Sequence, residues 1–137
     1  MGLSALTADE LAATATRIRG EPVRTQEPIR VGLVGCGGRG TGAAAQALRA
    51  HPDVQLVAMA DAFEDRLEGS LETLSDPERR GEIGKRIDVP PERRFVGFDA
   101  YREVIPLVDV VILTTPPHFR PEHFEAAVAA DKQIFME

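Results

Sequence analysis

The chain has 137 residues, 43% of them hydrophobic and 28% charged, which suits one domain with a buried core and argues against a disordered segment. A net charge of −6 excludes a surface built on clustered Lys and Arg for phosphate backbones, so no nucleic-acid partner is expected. No run approaches the ~18 apolar residues of a membrane span, so no membrane partner is expected.

In chain order, Thr7-Ala8-Asp9-Glu10 has the spacing of a capping box and opens an Ala-rich helix to about Arg19. Gly20 and Pro22 end it, and residues 20–28 read as a linker. Residues 1–28 are therefore expected to be an N-terminal helical extension, and 29–137 the domain. Ile29 to Val34 is nearly continuous aliphatic sequence, the pattern of a parallel strand buried on both faces. A Gly-rich turn follows, then a helix over Ala43–Ala50. His51-Pro52-Asp53 breaks the chain, with His51 read as a surface turn residue. Val54 to Asp61 is a second strand, and Ala62–Leu74 a helix whose Phe63, Leu67, Leu71 and Leu74 recur at spacings of three and four.

From Ser75 to Arg94 the chain is polar and punctuated by Pro77, Pro90 and Pro91, with at most one short helix expected before Val89. Arg79, Arg80, Lys85 and Arg86 cluster there, interrupted by Glu78 and Glu82, and read as a solvated mixed-charge face. Phe95-Val96 reads as a third strand, Ala100–Ile105 as a short helix, and Val108–Leu113 as a fourth strand. Pro121–Ala130 is a helix with Pro in its first turn, and Lys132–Met136 a fifth strand. Strand and helix alternate throughout, which predicts an α/β fold of the Rossmann type: an open parallel sheet with helices on both faces.

Chemistry concentrates at the strand ends. Gly35-Cys36-Gly37-Gly38-Arg39-Gly40 satisfies G-x-G-x-x-G, a weak signal alone, but it directly follows the best strand and precedes a helix, where a pyrophosphate is held. Gly35 would allow the tight turn, Gly37 the close approach of the pyrophosphate, and Gly40 close helix-to-strand packing. Arg39 could contact phosphate or face water. Cys36 reads as a small packing residue rather than a nucleophile. Asp61 ends the second strand 21 residues after Gly40, where an acid accepts the ribose hydroxyls and favours NAD over NADP. Arg66 could reach a 2′-phosphate, or pair on the helix surface with Glu64, Asp65 or Glu68. Thr114-Thr115-Pro116-Pro117-His118 ends the fourth strand, with both threonines expected to face the crevice and His118 either touching ribose or substrate or idle. His123, inside the next helix, reads as structural. No metal site is expected.

These residues, together with Val-Ala-Met-Ala-Asp61, Val-Ile-Leu-Thr-Thr-Pro116 and the closing Gln-Ile-Phe-Met-Glu137, resemble the amino-terminal domain of the glucose-fructose oxidoreductase and inositol dehydrogenase family, Gfo/Idh/MocA. The resemblance spans about residues 29–137. It implies a nicotinamide dinucleotide as cofactor, Gly35–Gly40 as its loop, Asp61 as the ribose acid, Thr115 and Pro116 as ribose and nicotinamide contacts, and Glu137 as the acid of a Glu-Lys-Pro motif. Pro117 and Arg120 stand where the family usually has Asn and His. The motif lysine and the substrate domain would follow Glu137.

The intact parent is then expected to be an oxidoreductase acting on a sugar, polyol or related hydroxyl compound. The alternatives are an NAD-dependent glycosidase of the same family and a non-catalytic nucleotide-binding module. Glu137 and His118 are the only candidate proton carriers, so the fragment is expected to bind cofactor without turnover. Removal of a substrate domain would expose apolar surface, which suggests a homo-oligomer. The single cysteine requires no oxidising compartment, and residues 1–20 lack the signal-peptide pattern. The compartment stays open: cytoplasmic by default, periplasmic if an export signal was removed.

Overall fold

The computed structural model describes residues 27–137, so the N-terminal helix expected over 7–19 and most of its linker lie outside the described residues. The aliphatic run becomes β1 (Ile29–Val34), whose last four residues are buried. β2 (Val54–Asp61) and β4 (Val110–Leu113) flank it, and the shorter β3 (Arg94–Val96) and β5 (Gln133–Met136) form the edges. All pairs are parallel and the order is β3-β2-β1-β4-β5. The order reverses between β1 and β4, which opens a crevice at their carboxyl ends where ligands of such sheets bind.

Helices cover both faces. On one, α1 (Gly38–Ala50) and α2 (Glu64–Ser75) set Leu48, Leu67 and Leu74 against Leu33, Leu56, Met59 and Ile112. On the other, α4 (Tyr101–Val104), the following 3₁₀ turn and α5 (Arg120–Ala129) bring Val104, Ile105 and Ala127 onto Val57, Ala60, Val111 and Leu113. Fully burying a Leu of this kind contributes ~1.5–3 kcal/mol. β2 serves both cores despite a break in alternation. Val31 pairs with Leu56 but Gly32 with Ala58, so Val57 is an extra residue. That bulge turns Leu56 and Met59, three apart, to the same face and aims the end of the strand at the crevice. Gly32 leaves room for Val104, whose Cγ1 would lie 2.5 Å from a Cβ there.

Four sequence expectations change. The first helix starts at Gly38, five residues earlier than Ala43, because the third glycine belongs to its first turn. Residues 75–94 hold α3 (Pro77–Arg80) and two 3₁₀ turns, Gly81–Arg86 and Pro91–Arg93, rather than a loop with one helix. Arg86 turns inward, donating to the carbonyls of His51 and Val54, so it is not part of a solvated charged face. Phe63 is 54% exposed: it precedes α2 as its N-cap instead of facing the core with Leu67 and Leu74. His51 does occupy a turn, its ring nitrogen accepting the Asp53 amide. No helix among the described residues is long and apolar enough to cross a membrane.

Candidate functional site

The glycine loop is stitched between the ends of β2 and β4. Gly35 adopts φ +96°, which L side chains rarely take, and its amide donates to Ala60 O at 2.9 Å. A Cβ on Gly35 would press on the Thr115 amide nitrogen, and one on Gly40 would collide with the Gly35 carbonyl oxygen. Gly37 and Gly38 are different: a Cβ would meet only the Arg66 guanidinium 3.9 Å from Gly37 and nothing near Gly38. Two glycines are therefore demanded by packing, and two keep open the approach to the α1 amino end. That end carries no side-chain cap, and the first amides of a helix lack intrahelical partners.

Asp61 shapes the loop directly. Its Oδ2 accepts the Cys36 amide at 2.7 Å and its Oδ1 the Phe63 amide at 2.9 Å, tying the loop after β1 to the turn after β2. Each oxygen keeps lone pairs for a further donor. Cys36 points into the core, its thiol donating to Ala60 O, and burial together with the Asp61 charge pushes its pKa well up. A thiol so held is a packing group, not a nucleophile.

A cleft of about 280 Å³ opens along the strand ends. Gly35, Gly37, Asp61 and Arg66 line one part of it, and Thr114, Thr115 and Pro116 another. Between them stands an aromatic wall the sequence reading missed: Phe98 packs edge-on to Phe63 at 6.4 Å and against Phe119 at 5.7 Å. Phe98 follows Gly97, at φ +134°, and the Gly-Phe pair just after the third strand was the available signal. His123, read as structural, also reaches the cleft. It is buried, its ring tilted against Tyr101 at 4.1 Å, and its Nδ1 shares a hydrogen bond with Thr115 Oγ1 at 3.0 Å. Burial lowers its pKa below the ordinary histidine value, so the ring is held neutral.

Other expected residues fall differently. The Thr114 hydroxyl is committed to the glycine loop, donating to Gly35 O at 2.7 Å, and the Thr115 hydroxyl is engaged by His123. Arg120 Nε donates to Thr115 O at 2.8 Å, fixing the strand end that the unusual Pro116-Pro117 pair leaves. His118 is exposed, its ring edge-on to Phe119 and outside the cleft lining. Arg39 reaches across to Glu137, Nη1 to Oε1 3.3 Å, a solvent-exposed pair joining the glycine loop to the end of β5. Arg66 forms no ion pair with Glu64, Asp65 or Glu68; its guanidinium lies over the Phe63 ring, and Glu68 pairs with Arg94 instead. Among the described residues no group of three or more His, Cys, Asp and Glu is placed to hold a metal.

A family model described as an oxidoreductase family with an NAD-binding Rossmann fold, GFO_IDH_MocA, matches residues 29–137. Among solved structures, apo scyllo-inositol dehydrogenase from Lactobacillus casei is similar, with a TM-score of 0.58 at 20% identity over 82% of this chain and 29% of that one. The protein yvaA of Bacillus subtilis, an oxidoreductase by assignment, gives a TM-score of 0.53 at 19% identity over 82% of this chain and 28% of that one. Both likenesses are of fold, and the chain spans less than a third of either structure. No curated protein matches the sequence.

Proposed function

The chain belongs to the Gfo/Idh/MocA oxidoreductase family as its NAD-binding Rossmann domain, and from that premise we propose that it holds the cofactor of a larger enzyme moving hydride to or from a sugar, polyol or related hydroxyl compound. The observation that carries this reading is the double hold of Asp61 on Cys36 N and Phe63 N. It fixes a carboxylate at the end of β2 beside the glycine-lined amino end of α1, which supports reading Asp61 as the acid for the ribose hydroxyls.

The residues present fit a dinucleotide. The space kept free by Gly37 and Gly38 admits a pyrophosphate to the α1 amides, where the helix dipole favours an anion. Asp61 accepts ribose hydroxyls, which favours NAD. Phe63 and Phe98, packed edge-on, give an apolar wall for the adenine ring. At the other part of the cleft, Thr115 and Pro116 face the nicotinamide half, with Thr115 held in place by His123 and Arg120. When bound, the nicotinamide supplies a hydride donor or acceptor at its C4.

A proton must also pass to or from the substrate hydroxyl. Glu137 is occupied by Arg39 and His118 turns outward, so neither is set at the cleft as a proton carrier. The 137-residue chain binds the cofactor without turnover, and the shuttle belongs to the part of the parent beyond it. Titrating NADH into the chain and following its fluorescence tests the first half: saturable enhancement is expected, and its absence overturns the reading. NADH production by the chain alone with polyol substrates would overturn the second half.

A further inference from the structure

α5 buries one ionisable side chain, His123, which is 4% exposed and lines the cleft together with Tyr101, Thr115 and Phe119. Its ring is held from three sides. Tyr101 tilts against it at 4.1 Å, Phe119 stacks on it at 6.3 Å, and Nδ1 meets Thr115 Oγ1 at 3.0 Å. These contacts fix the ring and account for one of its two nitrogens.

The other nitrogen, Nε2, has no hydrogen-bond partner among the described residues. Asp53 Oδ2 and Arg80 Nε are also unpaired, but they are sealed from solvent and Nε2 is not. On a residue this buried, the open face of Nε2 belongs to the cleft. Buried polar atoms are almost always paired, so a nitrogen that opens only onto a cleft is placed for what fills it. Burial lowers the pKa of the ring, which is therefore neutral at pH 7, with one N–H and one bare nitrogen. Thr115 Oγ1 has no other partner among the described residues, so its single proton goes to Nδ1. The ring proton then sits on Nε2.

We propose that His123 is a recognition residue of the cleft, its Nε2–H donating to an acceptor atom of the bound ligand while Nδ1 holds the Thr115 hydroxyl. The identity of the ligand rests on the dinucleotide reading; the open nitrogen does not depend on it. His123 stands between Thr115 and Phe119, which belongs to the aromatic wall, so it borders both parts of the cleft. Each half of a dinucleotide offers acceptors of this kind: ring nitrogens and ribose oxygens on the adenosine side, the carboxamide oxygen on the nicotinamide side.

The test separates the two nitrogens. In His123→Asn an amide atom takes the place of Nδ1, in His123→Gln one takes the place of Nε2, and His123→Phe keeps neither. Dissociation constants for NADH are read by fluorescence, after circular dichroism has shown which variants are folded. Expected is a fivefold or greater loss of affinity in Asn and Phe, with Gln within twofold of the parent chain. The reverse order, with Asn retained and Gln lost, would leave only the hold on Thr115 and overturn the proposal. Equal losses in all three, or none, would also overturn it. Calorimetry with ADP-ribose, which lacks nicotinamide, places the contact: the same losses put it on the adenosine side, and unchanged affinity puts it on the nicotinamide side. Acylation by diethyl pyrocarbonate, located by mass spectrometry, reads the open nitrogen without a dinucleotide or a variant. His123 is expected to be modified in the folded chain, and an unmodified His123 overturns the proposal. If NADH does not bind the parent chain, the dinucleotide reading fails by itself, and this modification still decides for or against the open donor.

Discussion

Asp61 Oδ2 and the Cys36 amide, 2.7 Å apart and 25 residues apart in sequence, join the ends of β2 and β1 at the point where the glycine loop leaves the sheet. The carboxylate therefore both builds the loop and lines the cleft proposed to hold the cofactor. A charged acceptor for a backbone amide is worth roughly 1.5–3 kcal/mol, more than an ordinary neutral pair. On the proposed reading, loop geometry and ribose recognition are coupled through one side chain.

Asp61→Ala is expected to weaken NADH binding at least tenfold and to destabilise the chain by about 2 kcal/mol, since Cys36 N and Phe63 N lose their acceptor. Asp61→Asn keeps one amide acceptor and should fall between. Fluorescence titration and urea melts read the two effects separately. Unchanged affinity for both dinucleotides in Asp61→Ala would remove the ribose assignment.

The loop glycines should divide into two classes. Gly40→Ala forces a methyl onto the Gly35 carbonyl and Thr114 Oγ1, so a loss at the upper end of the ~1–3 kcal/mol overpacking range is expected, with impaired folding. Gly37→Ala meets no backbone, so the melting temperature should hold while NADH affinity drops tenfold or more. Equal effects of the two on stability would contradict this division.

This division also marks how much was legible beforehand. β1 and β2 were plain because a buried parallel strand must be aliphatic on both faces, and the glycines and Asp61 stood at its ends. Residues 75–94 were opaque because their order comes from distant partners: Arg93 Nε donates to Val57 O at 2.7 Å, 36 residues away, and Arg86 reaches His51. No local pattern encodes such bonds. The aromatic wall escaped for a similar reason, since Phe63, Phe98 and Phe119 come from three separate loops with no period to connect them. His118 was favoured over His123 because position after a strand end suggested the crevice, whereas the helical turn at Arg120–Ala129 carries His123 inward and leaves His118 outside.

His123 sets a pH dependence of stability. Burial lowers its folded pKa below the unfolded value of about 6.5, so the unfolded chain binds the proton more readily. Its contribution is fully present above pH 6.5 and is lost as pH falls from there toward the folded pKa. His123→Gln should flatten the melting-temperature profile in that window while lowering stability at pH 7.5, because the ring also packs on Tyr101. A profile unchanged between pH 5 and 6.5 would refute the assignment.

Cys36 should be unreactive in the folded state. It is 3% exposed and its thiol is held protonated by burial and by Asp61. Labelling by a thiol reagent at pH 8 is expected to be at least a hundredfold slower than in the denatured chain, tracking global opening. Rapid labelling without denaturant would place the side chain outside the core.

The β5 edge predicts association. Phe135 is 49% and Met136 46% exposed on β5, whose outer edge pairs with no strand among the described residues, and Phe124 and Val128 of α5 stand exposed nearby in sequence at 41% and 53%. Unpaired backbone groups beside apolar side chains favour a second chain adding along the edge. Light scattering should show a mass that rises with concentration, and Phe135→Lys should return the chain to monomer, since a charge on an edge strand opposes such pairing. NADH affinity is expected to stay within twofold in that variant, because Phe135 does not line the dinucleotide cleft. A monomer at all concentrations would refute this prediction.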